Sequence, residues 1–309
     1  MGQGHERRAT AVAAAEEYGA VLSRRLLRGL GVTHDHIRHE VEAERWRTLG
    51  HQTVAMHRGP VDDLARRWRA VWEVGHLITV VDGVTALQHA GLVGFSSPTL
   101  HVSIPHGCRP YRSRGVVTHT VPVRAQGEVI GAGLPHTRPD IAAIRAAHWA
   151  ASDRQAALIL CMTVQQRLTT PERLLQTAET LRIRGRTRFV ATVVADLADG
   201  AESLGELDFS RLCRARGLPE PTRQAVVKTP SGRIYLDVRW VEIGLVVEID
   251  GAQHREGLEL SDDNLGRNAV VVEGDSLLRI DLIGLRLETK AFLDQVCRAH
   301  ARLSALAAA

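Results

Sequence analysis

Residues 233–255, RIYLDVRWVEIGLVVEIDGAQHR, decide the fold of the last third of the chain. Over residues 234–240, apolar and polar residues alternate, which is the period of a strand with one face on a core. Residues 243–249 are almost wholly apolar, as is typical of a strand that is covered on both faces. The pattern therefore predicts two neighbouring strands that are joined by a turn at residues 242–243.

Three acidic residues of these strands form a candidate metal site. In a hairpin of this register Asp237 lies opposite Glu248, and directly opposite residues of an antiparallel pair point the same way. Asp250 shares a face with Glu248. Desolvating such carboxylates is costly without a cation or water, and hard divalent ions such as magnesium take oxygen ligands. The alternative is a solvent-facing Asp237 beside Arg239, with Asp250 merely beginning a turn.

Length and composition narrow the class of protein. A chain of 309 residues fits two or three domains, and a hydrophobic content of 44% is typical of a soluble globular protein. No apolar run approaches the roughly 20 residues of a membrane helix, and the first residues lack the apolar core of a signal peptide. We therefore expect a cytoplasmic protein without a membrane partner. The four cysteines have no C-x-x-C spacing, so neither a zinc site nor a disulfide framework is indicated.

The charge is divided unevenly along the chain. Residues 1–190 carry 25 arginines against 16 acidic residues, whereas residues 191–309 carry 14 basic residues against 19 acidic ones. The guanidinium group of arginine suits phosphates and base edges as well as acidic protein surfaces. The basic part of the chain is therefore the part in which we expect a nucleic-acid interface.

Residues 1–59 have the element order of a winged helix-turn-helix. Ser23 can cap a short helix and Thr33 a second one, and residues 46–56 alternate as a hairpin does. In this class of domain the second helix reads the major groove of double-stranded DNA. The alternative is a small helical domain with a solvated polar face. The candidate DNA contacts are Arg24, Arg25, His34, His36, Arg38, His39 and Arg47.

The rest of the chain predicts two further domains, 60–198 and 199–309, so the fold class is α+β multidomain. In the middle domain a helix over residues 61–74 precedes short strands and helices, and residues 127–139, rich in Gly and Pro, predict a connection without secondary structure. The third domain predicts helix 203–216, strand 225–228, the two strands described above, helix 262–272, strand 277–280 and helix 287–307.

Several motifs of the third domain, in this order, resemble those of a known nuclease family. They are Ser203-x-x-Glu206, Gln224, Asp237, Glu248-Ile249-Asp250-Gly251-x-x-His254, Arg267-Asn268 and Leu278-Arg279-Ile280. This pattern resembles the very-short-patch-repair-like branch of the PD-(D/E)XK nuclease superfamily. The first two domains are similar to AbiEi-type antitoxin regulators, in which a winged helix precedes an α+β domain.

The nuclease resemblance implies a restriction-endonuclease-like α/β/α domain with a mixed sheet. It implies that Asp237 and Glu248 bind magnesium or manganese, with Asp250 at the same site. Glu206 would complete the acidic cluster, and His254 would serve as a base or a phosphate contact. One departure matters, because Asp250 stands where the family has a lysine that helps to orient the attacking water and to stabilise developing charge.

Three hypotheses about function follow. The first is a magnesium-dependent DNA endonuclease whose basic domains hold the duplex. The second is a transcriptional regulator or antitoxin, with a toxin as partner protein, whose nuclease-like domain is inactive; Asp250 in place of lysine favours it. The third is a protein-interaction module in which the two oppositely charged parts of the chain dock on each other.

Overall fold

The computed structural model describes residues 3–122, 124, 126–181, 183, 185–199, 204–229, 232–250 and 276–308. The chain divides into two compact units, Met1–Arg145 and Ala146–Ala309. Both contain helices and sheets, so the predicted α+β class is confirmed. The finer division into three domains stays a prediction.

The first unit begins with helices around a small sheet. The elements are α1 (Gln3–Ala15), a 3-10 turn (Glu16–Tyr18), β1 (Val21–Ser23), α2 (Arg24–Gly29), α3 (His34–Glu42), β2 (Arg47–Thr48) and β3 (Thr53–Ala55). The strand order is β1-β3-β2, and both pairs are antiparallel. β3 is therefore the central strand of this sheet, with β1 on one side and its hairpin partner β2 on the other.

Local capping explains where the two short helices begin. The Ser23 hydroxyl accepts a hydrogen bond from the backbone N–H of Leu26 at 3.1 Å, and the Thr33 hydroxyl accepts one from that of His36 at 3.3 Å. Such caps satisfy backbone donors that the first turn of a helix leaves unpaired. The helices and the sheet enclose a core in which Trp46 is 1% exposed. Its other members include Leu22, Leu27, Val32, Ile37 and Val54.

A second sheet completes the first unit. The elements are α4 (Asp63–Gly75), β4 (Val80–Val81), α5 (Gly83–His89), β5 (Leu100–Pro105), β6 (Val116–Val121), β7 (Val129–Ile130) and β8 (His136–Thr137). The strand order is β6-β5-β4-β8-β7, with parallel pairing in β5–β6 and β4–β8 and antiparallel pairing elsewhere. The prediction that residues 127–139 form a connection was wrong, because β7 and β8 lie there. Strands of two residues are too short to show a period in the sequence.

A buried group of charged residues ties the second sheet together. The Arg145 guanidinium donates to Asp82 at 2.8 Å and to Glu128 at 2.7 Å, and all three residues are at most 4% exposed. Arg124 donates to Glu128 at 3.0 Å and to the backbone carbonyl of Ser103 at 2.8 Å. Burial lowers the pKa of Arg145, and the nearby carboxylates of Asp82 and Glu128 outweigh burial and raise it above its ordinary value. The four charged groups thus neutralise one another within the protein.

The second unit joins helices to a mixed sheet. Helix α6 (Pro139–Trp149) begins in the first unit and ends in the second. The helices α7 (Asp153–Gln165), α8 (Pro171–Thr180), α9 (Thr187–Asp199) and α10 (Leu204–Ala215) precede β9 (Thr222–Thr229), β10 (Gly232–Trp240), β11 (Leu245–Asp250) and β12 (Leu277–Asp281). The chain then continues in α11 (Leu282–Leu287) and α12 (Thr289–Ala307). The strand order is β12-β11-β10-β9, and only β11–β12 is parallel.

The core of this unit lies between the sheet and its helices. Phe209 and Cys213 of α10 and Phe292 of α12 are fully buried with Val238 and Val247 of the sheet. The predicted last helix, residues 287–307, corresponds to α12, which begins two residues later because Glu288 separates it from α11. The predicted helix over residues 262–272 lies outside the described residues.

Candidate nucleic-acid interface

Helix α3 presents a polar face that mixes cationic and acidic groups. His34, Arg38 and His39 are exposed, whereas His36 is half-buried and its Nδ1 accepts a hydrogen bond from the Thr33 backbone N–H at 3.2 Å. Arg38, with 61% of its side chain exposed, forms ion pairs within the helix. Its partners are Asp35 at 3.0 Å and Glu42 at 3.8 Å. Of the four predicted contacts on this helix, His36 is therefore partly committed to capping.

A third acidic residue of α3, Glu40, is turned away from this face. Its carboxylate accepts a hydrogen bond from Arg45 Nε at 2.5 Å and lies 3.5 Å from the Arg8 guanidinium of α1. Burial alone would raise the pKa of Glu40. The hydrogen bond and the charge of Arg45, together with the charges of Arg8 and His39, outweigh burial, so the pKa of Glu40 lies below its ordinary value. This carboxylate is therefore neutralised by arginines within the protein.

The tip of the β2–β3 hairpin is held by one carboxylate from α4. Glu73, only 6% exposed, accepts hydrogen bonds from the backbone N–H of His51 at 2.9 Å and of Gln52 at 2.8 Å. It also accepts one from the Thr53 hydroxyl at 2.8 Å. A carboxylate that accepts several N–H and O–H bonds is held more firmly than a neutral acceptor. Glu73 therefore fixes the backbone of the tip while the His51 and Gln52 side chains stay exposed.

Gly50 is required for this close approach. A Cβ atom at this position would lie 2.5 Å from Oε1 of Glu73 and 2.6 Å from its Oε2. Contacts this short force the backbone or the carboxylate to move. The tip is therefore built around the absence of a side chain at residue 50.

The three predicted arginine contacts outside α3 all have partners within the protein. Arg24 Nε donates to the His51 carbonyl oxygen at 2.9 Å, which ties α2 to the hairpin tip. Arg25 contacts the ring of His76, which follows α4. Arg47 Nη2 donates to the carbonyl oxygen of Gly59 at 3.0 Å. Arg24 bonds to the hairpin tip and Arg47 joins β2 to the segment after β3, so these two arginines help to hold the hairpin in place.

The predicted acidic site can be followed only along the backbone. Glu206 lies in α10, Asp237 in β10, and Glu248 and Asp250 in β11, but their side chains lie outside the described residues, as does all of His254. Strands β10 and β11 pair Val238 with Val247 and Trp240 with Leu245, as a turn centred on residues 242–243 requires. Asp237 and Glu248 are the next residues along the two strands.

Sequence reasoning missed two features of the first unit. Glu73 gave no signal, because its partners lie about 20 positions earlier in the chain and in another element. Arg28, on α2, is exposed and was not among the predicted contacts. The cluster of arginines in residues 24–28 is the sequence signal that could have identified it as a further exposed cation. Within the described part of the chain, no three His, Cys, Asp or Glu side chains come together as metal ligands.

Comparisons with known proteins add little to this geometry. No family model matches the chain, and no curated protein matches it. A similar solved structure is the crystal structure of the RV2827C protein from Mycobacterium tuberculosis, with 16% sequence identity and a TM-score of 0.38 over 63% of this chain and 78% of that one. A likeness at this level says nothing about activity. None of the helices in the described ranges combines the length and apolar character that a bilayer crossing requires.

Proposed function

We propose that the first unit binds double-stranded DNA through a winged helix-turn-helix formed by residues 21–56. The observation that carries this proposal is the element order β1, α2, α3, β2, β3, with β3 paired to both other strands. That is the arrangement in which a second helix enters the major groove and a hairpin lies beside it. In this proposal α3 is the reading helix and β2–β3 is the wing.

The exposed cation best placed for DNA is Arg38. Its ion pairs with Asp35 and Glu42 are surface pairs, which typically contribute about 0–1 kcal/mol. A phosphate or a guanine edge offers a stronger partner, since a bidentate arginine contact to a base contributes about 1–3 kcal/mol of discrimination. Replacing the two ion pairs of Arg38 by a contact to DNA therefore costs little free energy.

The test is a titration of the full chain against duplex DNA at rising salt. Binding through phosphates weakens as counterions are added, and loss of one phosphate contact lowers the slope of log K against log salt by about 0.9. Arg38→Ala should therefore weaken duplex binding and flatten the slope. Arg66→Ala is the matched control, because Arg66 of α4 forms the same i,i+3 pair, with Asp63 at 3.3 Å.

Two results would contradict this proposal. One is duplex affinity that does not change with salt. The other is an equal loss of affinity in Arg38→Ala and Arg66→Ala, which would place the interface away from α3.

A second candidate function is metal-dependent cleavage of DNA phosphodiesters by the second unit. The observation that favours it is the pairing of Val238 with Val247, because one further step along this antiparallel ladder would place Asp237 opposite Glu248. Carboxylates in neighbouring strands are suitable oxygen ligands for a magnesium or manganese ion. Asp237, Glu248 and Asp250 would hold the ion, with Glu206 contributing from α10 and His254 as base or phosphate contact.

Metal binding and cleavage can be tested separately. A ligand that binds only the folded state stabilises it by RT ln(1 + [L]/Kd), so millimolar magnesium should raise the melting temperature of the full chain relative to chelator. Asp237→Asn should abolish that increase. Cleavage is then followed on supercoiled, linear and single-stranded DNA.

The melting measurement and the cleavage assay together separate the competing hypotheses. Melting that is identical with metal and with chelator would refute the metal site. Metal binding without cleavage of any DNA would favour the alternative, a transcriptional regulator or antitoxin whose nuclease-like domain is inactive and whose partner is a toxin protein. The residue that motivates this alternative is Asp250, in the position of the family's lysine.

A further inference from the structure

The first unit contains an aromatic pocket that the proposed function does not use. Its volume is about 400 Å³, which lies within the range of small-molecule sites. The 3-10 turn, α2, the tip of the β2–β3 hairpin, α4 and the segment between β7 and β8 all contribute to it. The lining residues that matter here are Tyr18, Arg25, Gln52, Trp68, Trp72 and His76.

Three aromatic residues that contact one another line this pocket. The rings of Trp68 and Trp72, one turn apart on α4, are stacked with their centroids 5.2 Å apart and their planes at 27°. The ring of Tyr18 lies edge-on to Trp68 at 5.0 Å and tilted against Trp72 at 5.6 Å, measured between centroids. Aromatic rings that meet in offset-stacked or edge-to-face arrangements gain more than their buried area alone provides. The pocket therefore favours a flat aromatic ligand over an aliphatic one of similar size.

A cation lines the same pocket. Arg25 of α2 is exposed, and its guanidinium contacts the ring of His76, which also lines the pocket. An imidazole carries no negative charge, so this contact does not balance the guanidinium. The described lining contains no aspartate or glutamate, and the other residues of the first unit, 1–2, 123 and 125, include no acidic side chain. The charge of the pocket is therefore complementary to an anion.

Two carboxylates near the pocket are engaged elsewhere. Burial raises the pKa of Tyr18, and the charge of Glu17 and a hydrogen bond with it raise that pKa further. Glu73 of α4 accepts two backbone N–H bonds and one hydroxyl bond from the hairpin tip. Neither glutamate lines the pocket, so a ligand inside it meets the guanidinium of Arg25 directly.

We propose that this pocket binds a small aromatic carboxylate, with its ring against Tyr18, Trp68 and Trp72 and its carboxylate on Arg25. A guanidinium group can bind both oxygens of a carboxylate, and such charged hydrogen bonds are stronger than neutral ones. Gln52, exposed at the hairpin tip, adds an amide group to the lining. The site is separate from the proposed reading helix, because no residue of α3 lines the pocket.

The experiment titrates the full chain with naphthoate and with naphthamide, its neutral analogue, by isothermal calorimetry. Naphthoate should bind the wild-type protein more tightly than naphthamide does. Arg25→Gln should weaken naphthoate binding about tenfold or more, because it removes charged hydrogen bonds, and should change naphthamide binding much less. Arg25→Lys keeps the charge but loses the planar fork, so it should retain part of the affinity for naphthoate.

A second variant tests the aromatic part of the pocket. Trp68 is half-buried whereas Trp72 is buried, so Trp68 is the ring whose replacement disturbs the core less. Trp68→Leu should weaken naphthoate and naphthamide alike, by about two- to tenfold, because both ligands lose an aromatic partner.

The matched control is Arg28→Gln, which removes another exposed arginine of α2 outside the lining and should bind naphthoate as the wild type does. Equal losses in Arg25→Gln and Arg28→Gln, or unchanged naphthoate binding in Arg25→Gln, would overturn the proposal. So would wild-type protein that does not bind millimolar naphthoate, or that binds it no more tightly than naphthamide. Arg38→Ala should leave naphthoate affinity unchanged, so the duplex interface and the pocket can fail separately.

Discussion

Replacing Glu73 should release the tip of the β2–β3 hairpin. The carboxylate accepts two backbone N–H bonds and one hydroxyl bond, all between 2.8 and 2.9 Å. Hydrogen bonds to a charged group contribute about 1.5–3 kcal/mol each, but water can replace the partners of exposed His51 and Gln52. We therefore expect Glu73→Ala to lower the free energy of opening the hairpin by about 2–3 kcal/mol, close to the value of one such bond.

Hydrogen exchange of the His51 and Gln52 amides measures this directly. A decrease of about 2–3 kcal/mol corresponds to exchange that is roughly 30 to 150 times faster in the tip. Glu73→Gln, which keeps the volume and loses the charge, should show a smaller increase of the same kind. Duplex affinity should fall with it, because a mobile wing must be ordered upon binding.

A matched control separates this effect from a general loss of acidic charge. Glu42→Ala removes an exposed carboxylate of α3 that lies 3.8 Å from Arg38, and it should leave exchange in the wing unchanged. Unchanged exchange of the two amides in Glu73→Ala would refute the anchoring role of this residue.

Two further predictions concern the stability of the first unit. Burial, with the charge of His101, lowers the pKa of His119 to about 4, so the fold favours neutral His119. Below pH 6.5 the unfolded chain therefore binds more protons than the folded one. The free energy of unfolding should fall by on the order of 3 kcal/mol as the pH drops from 6.5 to 4, which urea unfolding measures. In His119→Gln the same decrease in pH should lower it by less. Asp82→Asn leaves the Arg145 charge partly unpaired, so it should lower the free energy of unfolding by about 3–5 kcal/mol, seen as a lower melting temperature. The double variant Asp82→Asn/Arg145→Met should recover part of this loss of stability.

Strong local patterns predicted most of the elements. The alternation before Trp240 and the apolar run after it gave β10 and β11 together with their turn, and the observed pairing of Val238 with Val247 has the register that this turn requires. The helix predicted over residues 61–74 corresponds to α4, Asp63–Gly75. Such segments are long enough for their side chains to show a period, which is why sequence alone identifies them.

Contacts between distant residues could not be predicted in the same way. The pairing of Asp82 with Arg145 joins positions 63 apart, and the bonds of Glu73 to the wing join positions 20 to 22 apart. A buried charge is costly unless it is paired, but the sequence does not say which charges the fold will bury. The same limit explains the missed strands β7 and β8, whose two residues each are set by pairing and not by pattern.

The anchoring of the β2–β3 hairpin also restricts the contacts that the proposed DNA complex can use. The amides of His51 and Gln52 are occupied by Glu73, so they are not available as backbone donors to phosphates. Arg24 and Arg47 are likewise bonded to carbonyl oxygens. Phosphate contacts in the proposed complex then fall to exposed side chains, with Arg38 of α3 foremost. The single variant Arg38→Ala should therefore weaken duplex binding more than Arg24→Ala does in a protein whose wing remains ordered.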